Sequence, residues 1–226
     1  MSSRLNEIRE YLAKTNSDEN YVNSFDKKII TLTTAICKYA HRNQTRENGE
    51  VYSNHPLRLV EMFEKLIGED ETQIADYRAL EYYKIPYFGV KEVALLHDVV
   101  EDTNFTFADI EEIYKECGFD DYYEKYIAVP LKLITHNKKE DYEIYVSNLL
   151  QNEIASMVKF LDLQDNMNYL DLIQFGSYEY QRAQKYLKCF NYINMAHRFL
   201  EHAEKYKKIT KHLMKVKYYS DDSIWA

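Results

Sequence analysis

Within residues 94–103, ALLHDVVEDT, an apolar run leads into His97, Asp98, Glu101 and Asp102. Burying such ionisable groups is costly unless they are paired or ligate a metal. His97 and Asp98 are neighbours on a helix, about 100° apart around its axis, so both reach one ion only if it lies in the seam between them. Glu101 and Asp102 follow three to four residues later, on the adjoining surface. Two ligands from one helix leave a metal site incomplete, and two distant residues are suited to complete it. His55 stands beside Pro56 at a helix entrance, and Asp162 follows Val158 by four residues and turns inward with it. Two imidazoles and two carboxylates suit a borderline divalent cation such as Mn, Fe, Co or Zn. Such an ion lowers the pKa of a bound water toward neutrality and produces a hydroxide nucleophile. By itself, however, a His-Asp dipeptide more often marks a satisfied structural pair than a ligand set.

The elements that must position these side chains read as helices throughout. Five Gly and three Pro in 226 residues point to long helices with short connections. Residues 26–42 place Ile29, Ile30, Leu32, Ile36, Tyr39 and Ala40 at helical spacing, and the polar run HRNQTRENGE follows. A second helix starts at His55-Pro56 and carries Leu59, Val60, Phe63 and Leu66 on one face. The acidic, Tyr-rich stretch 68–88 reads as an irregular connector, and 90–102 as the third strong helix. Thr106 and Asp109 form a capping-box-like start to a short helix ending near Gly118. Helices over 121–136, kinked or divided by Pro130, about 140–151 and 154–168, and a long final helix or pair over roughly 178–215, complete an all-α, single-domain bundle.

The net charge of −8 argues against a nucleic-acid binder, since phosphate backbones select for Lys and Arg. Cys37, Cys117 and Cys189 lack ligand spacing and read as reduced thiols. No segment has the apolar core of a signal peptide or the length of a membrane span, so a soluble, cytoplasmic protein is expected. Most of the 22 Tyr should bury the ring and leave the hydroxyl wet. The lysine-rich stretch 205–217 reads as a solvated helix face.

Four ordered segments, NQTRENGEVYSNHPL, ALLHDVVEDT, LITHNKKEDYEIYV and VKFLDLQDNM, together resemble the HD-domain metal-dependent phosphohydrolases. Within these they look most like the RelA/SpoT-type (p)ppGpp hydrolase domain and its small stand-alone relatives. The resemblance implies an N-terminal helical extension over 1–24, an HD domain over 25–200 and a lysine-rich helix and tail over 201–226. It implies metal ligation by His55, His97, Asp98 and Asp162, with Mn²⁺ foremost and Fe, Co, Zn or Mg as alternatives. Glu101 and Asp102 become the catalytic pair that positions or protonates groups around the attacked phosphate. Arg46 is expected to hold substrate phosphate, because its planar fork matches phosphate oxygens. Tyr52 and Asn166 match positions near the nucleoside.

The implied reaction is removal of the 3′-pyrophosphate of (p)ppGpp by the activated water, with a phosphorylated nucleotide as partner. Neither nucleic acid nor membrane is expected, and a homo-oligomer is left open. Glu47 follows Arg46 where the alarmone hydrolases usually carry a basic residue, and LDLQDNM lacks their Arg two residues before Asp165. These differences keep other readings in view: a deoxynucleotide, nucleoside monophosphate, cyclic dinucleotide or ppApp as substrate, or a silent nucleotide-binding HD protein. His41 reads as a polar cap at a helix end and His136 as a complement to a helix C-terminus. His197, His202 and His212 are expected on the surface. Arg182, Lys185 and Tyr186 could reach substrate or lie on an exposed face, and Lys159 is a weaker phosphate candidate.

Overall fold

The computed structural model describes residues 3–15, 28–68, 77–168 and 176–208, and every named element among them is an α-helix. In chain order these are α1 (Ser3–Thr15), α2 (Ile29–Ala40), α3 (Asn54–Ile67), α4 (Tyr77–Tyr82), α5 (Val90–Leu96) and α6 (Val99–Asp102). There follow α7 (Phe107–Glu116), α8 (Asp120–Tyr126), α9 (Ala128–Ile134), α10 (Tyr142–Leu149), α11 (Glu153–Asn168) and α12 (Tyr178–His197). A last helical stretch runs over 199–208. One isolated bridge, Thr45 to Val51, closes the loop between α2 and α3.

The centre of the bundle is α5. Its Val90, Val93, Ala94, Leu95 and Leu96 are all buried, as is Glu92, while Lys91 reaches out to pair with Glu64 at 2.8 Å. Helices α2, α3 and α11 pack directly against it. Leu32 and Ile36 of α2, Leu59 and Phe63 of α3, and Val158 and Leu161 of α11 supply the facing core. Whatever stands at the C-terminal end of α5 is therefore walled in by α3 and α11.

The expected single helix over 90–102 is in fact two. Regular geometry stops at Asp98 (φ −96°, ψ −7°), and α6 restarts with the Asp102 N–H donating to the Asp98 carbonyl at 2.8 Å. This break falls on the His-Asp dipeptide and brings adjacent side chains face to face. Pro130 behaves as expected, dividing the 121–136 region at Ile127. It occupies the first turn of α9, where an amide N–H has no intrahelical partner anyway. The capping box of Thr106 and Asp109 forms in full at the start of α7.

Two expectations need correction. The connector 68–88 holds the short helix α4, while 69–76 lie outside the described residues. Among the tyrosines, fully buried Tyr114 bonds Thr33 Oγ1, and buried Tyr145 donates to the Ile134 carbonyl. His197 and His202 are half-buried, not exposed, because Arg198 takes a left-handed conformation (φ 53°) and folds 199–208 back. That return buries Phe199, Ala203 and Tyr206 and stacks His197 on Phe199 at 4.8 Å. His212 and the tail beyond residue 208 lie outside the described residues, as do positions 16–24 of the N-terminal extension.

Gly89 sets the entry angle of α5. It has φ +83°, and a Cβ there would lie 2.5 Å from the Tyr126 carbonyl oxygen. Its N–H also donates to Tyr122 Oη at 3.1 Å. Gly89→Ala is expected to lower unfolding stability by about 2 kcal/mol through left-handed strain and this clash, as a urea titration would read. An unchanged midpoint would mean that the α5 entrance tolerates a shift.

Candidate metal centre

His55 lies in the first turn of α3, His97 at the C-cap of α5, Asp98 in the break after it, and Asp162 on the inner face of α11. His55, His97 and Asp162 are buried, and Asp98 is partly so. His55, His97 and Asp98 each offer a ligand atom, all within 4.8 Å of one another. The two imidazole centroids are 5.2 Å apart.

The tautomers follow from the partners. His55 Nδ1 faces the Asp165 carboxylate at 2.6 Å and His97 Nδ1 faces the Ala94 carbonyl at 2.8 Å. Both oxygens only accept, so both Nδ1 atoms carry the proton, and in the neutral rings both Nε2 atoms present lone pairs. His55 Nε2 lies 3.2 Å from Asp162 Oδ1 and 3.8 Å from Asp98 Oδ2. His97 Nε2 lies 3.0 Å from Asp98 Oδ2 and 3.8 Å from Asp162 Oδ1. Four lone-pair atoms thus crowd one space, and His97 Nε2 is buried without a well-formed hydrogen bond. Such atoms repel unless a proton or a cation stands among them. The donor set, two nitrogens and two carboxylates on a rigid frame, fits a divalent transition metal.

Electrostatics point the same way. Burial pulls the His97 imidazole down, but the Asp98 and Asp162 carboxylates outweigh it and hold the ring well above its ordinary range. Burial pushes the Asp162 carboxyl up, and Lys159 with the two imidazoles holds it well below. The site is a concentrated patch of negative charge that attracts a positive one.

Around the four residues lies a ring of hydrogen bonds. Lys159 Nζ donates to Asp162 Oδ2 at 2.7 Å, and Asn166 Nδ2 donates to Asp162 Oδ1 at 2.6 Å. Lys159 is therefore the counter-charge of Asp162, not the phosphate candidate its type suggested. Tyr52 Oη is within 2.9 Å of Asp98 Oδ2 and 3.0 Å of Asp102 Oδ2, and its ring stacks on buried His41 at 4.7 Å. His41 is the C-cap of α2, as its position suggested. Arg46 NH2 donates to Asn166 Oδ1 at 2.6 Å, and NH1 reaches Asp165 Oδ2 at 3.3 Å. Arg46, Tyr52 and Asn166 are thus all brought to the same cluster.

Glu101 is half-buried. Its Oε2 accepts the backbone N–H of His136 at 3.0 Å, and burial, with Asp98 and Asp102 nearby, pushes its carboxyl up. The His136 ring packs on Tyr145 at 4.6 Å, so its contribution to the cluster is a backbone amide. Asp102 is exposed at the rim. Lys185 Nζ sits 4.1 Å over the Tyr142 ring, and Lys159 Nζ 5.7 Å from the same ring.

Two residues of the cluster were not foreseen. Asp165 accepts from His55, Arg46 and Arg58, and Arg58 NH1 also pairs with Glu50. The signal was present: Arg58 follows His55 by three residues and Asp165 follows Asp162 by three, so each shares a helix face with a candidate ligand.

No family model matches the chain. Its sequence is 26% identical over 156 residues to the bifunctional (p)ppGpp synthase/hydrolase SpoT of Escherichia coli (strain K12), covering 67% of this chain and 19% of that protein. It is 32% identical over 112 residues to a guanosine-3′,5′-bis(diphosphate) 3′-pyrophosphohydrolase of Borreliella burgdorferi, covering 50% of this chain and 14% of the relative. The chain thus spans less than a fifth of the length of these curated relatives. A solved structure, of a metazoan ortholog of SpoT that hydrolyzes ppGpp, superposes with a TM-score of 0.52 at 18% identity, covering 80% of this chain and 95% of that one. No helix among the described residues is long and apolar enough to cross a membrane. In sequence the chain is similar to these (p)ppGpp synthase/hydrolase and 3′-pyrophosphohydrolase proteins, and in fold to the solved SpoT ortholog.

Proposed function

We propose that this chain is a metal-dependent nucleotide pyrophosphohydrolase that removes the 3′-pyrophosphate of (p)ppGpp. The observation that carries this reading is the meeting of His55 Nε2, His97 Nε2, Asp98 Oδ2 and Asp162 Oδ1, with contacts of 3.0 to 3.8 Å between imidazole nitrogens and carboxylate oxygens. The sequence relatives supply the substrate class.

When bound, a divalent cation supplies Lewis acidity and a readily deprotonated water. The chain's own residues do the rest. Asn166 and Lys159 fix the Asp162 carboxylate, and Tyr52 fixes that of Asp98. Glu101, held by the His136 amide and pushed toward neutrality, is placed to accept and return a proton. Arg46, already at the mouth of the cluster through Asn166, is the group that meets substrate phosphate. Glu47 beside it is exposed.

The test is a hydrolysis panel of ppGpp, ppApp, GTP, dNTPs, nucleoside monophosphates and cyclic dinucleotides, each with Mn²⁺, Mg²⁺ or chelator. Pyrophosphate release from ppGpp, lost in chelator, is the expected result. Turnover of dNTPs alone would refute the assignment, and no turnover with a bound cation would favour a silent binding protein. Arg46→Ala should raise KM about 10- to 100-fold with metal content unchanged, matching one charged hydrogen-bonding group lost to the substrate. An unchanged KM would remove Arg46 from the phosphate site.

A further inference from the structure

The two imidazoles at the centre are backed differently. The His97 Nδ1–H donates to a neutral peptide carbonyl, that of Ala94, at 2.8 Å. The His55 Nδ1–H donates to a buried carboxylate, Asp165 Oδ2, at 2.6 Å. A carboxylate behind an imidazole raises the donor strength of the opposite nitrogen and fixes the plane of the ring, whereas a carbonyl does so more weakly.

Asp165 is itself held on all sides. Arg58 Nε donates to Oδ1 at 2.9 Å and Arg58 NH2 to Oδ2 at 3.1 Å, a two-pronged grip across both oxygens. Arg46 NH1 adds a contact to Oδ2 at 3.3 Å. Arg58 NH1 in turn pairs with Glu50, on the loop that carries Arg46 and Tyr52. The Arg46 N–H to Glu50 carbonyl bond, 2.8 Å, closes that loop. A chain of charged groups, Glu50, Arg58, Asp165 and His55, therefore runs from the loop to the centre.

We infer that Asp165, gripped by Arg58, is a positioning residue that orients and strengthens His55 as a metal donor and ties this donor to the loop of Arg46. The inference rests on the proposed metal centre. It also concerns residues of which neither is a ligand: Asp165 makes no direct approach to the Nε2 side of the cluster and acts through His55. Its twin contacts to Arg58 explain why a second carboxylate can be buried three residues from Asp162 without repelling it outward.

The experiment is calorimetric titration of metal-free protein with Mn²⁺, comparing wild type, Asp165→Asn and Arg58→Gln, alongside urea unfolding of each without metal. Asp165→Asn keeps the shape but removes the charge behind His55, so Mn²⁺ affinity should fall about 10- to 100-fold. Arg58→Gln leaves the carboxylate on His55 but loosens it, so a smaller loss, of several-fold, is expected. At saturating Mn²⁺, kcat for ppGpp should recover in Arg58→Gln, because the carboxylate remains. Affinity equal to wild type in a folded Asp165→Asn would overturn the inference, since a purely structural role moves the unfolding midpoint and not the Mn²⁺ constant. If Asp165→Asn does not fold, Arg58→Gln decides: wild-type affinity there overturns the inference and weakened affinity supports it. Wild-type protein that takes up no Mn²⁺ would instead refute the metal centre, an outcome distinct from any of these.

Discussion

Asp98→Ala is expected to abolish turnover, by at least about a thousandfold, or roughly 4 kcal/mol of transition-state stabilisation, while leaving the helical bundle folded. The carboxylate is the group that meets His97 Nε2 at 3.0 Å and reaches toward His55 Nε2 at 3.8 Å. It thus stands between the two imidazoles. Asp102 Oδ2 remains on Tyr52 Oη at 3.0 Å, so the loop keeps one of its anchors. The core of α5 is untouched, because Val90 to Leu96 face the bundle and Asp98 lies past their end. Elemental analysis after dialysis should find little retained cation, and circular dichroism should match wild type. Residual turnover at wild-type levels would show that the cation, or the chemistry, sits elsewhere.

How much of this was legible beforehand depends on what each residue contributes. The helices were legible because apolar residues recur at helical spacing, as Val90, Val93, Ala94, Leu95 and Leu96 do in α5. His97, Asp98 and Asp162 stood out as ionisable groups on buried faces, but only the resemblance of the four ordered segments made them a ligand set. The break between α5 and α6 was not legible, since nothing in VALLHDVVED disfavours a continuous helix. Burial of Tyr114 and Tyr145 hydroxyls was not legible either, because it depends on Thr33 and Ile134 from other helices. Asp165 carried a partial signal, three residues after Asp162 on the same helix face, but its partners were not legible. Its partners Arg46, His55 and Arg58 precede it by more than a hundred residues, and only packing of α3 on α11 brings them together. Lys159 was misjudged for a related reason. Residue type alone made it a weaker phosphate candidate, but its side chain ends on Asp162.

That placement gives the second large effect, on stability. Lys159→Met keeps most of the aliphatic stem but removes the ammonium 2.7 Å from Asp162 Oδ2, between the rings of Tyr142 and Tyr145 at 5.7 and 5.6 Å. Breaking a buried ion pair from one side leaves the other charge without compensation, a cost of about 3–5 kcal/mol. In chelator, therefore, the variant should unfold about 6–12 °C below wild type, taking the lower end of that cost for a chain of this size. A bound cation neutralises the same carboxylate from its Oδ1 side, so saturating Mn²⁺ should narrow the gap to less than half. The measurement is a pair of thermal unfolding curves per variant, with chelator and with Mn²⁺. An equal gap in both would show that Lys159 and the cation do not share Asp162. No gap in chelator would show that Asp162 escapes its loss of partner by taking up a proton. The prediction thus separates two roles for one lysine: a substrate-facing cation would alter KM and leave both curves alone, whereas a counter-charge to a metal ligand shifts the metal-free curve most.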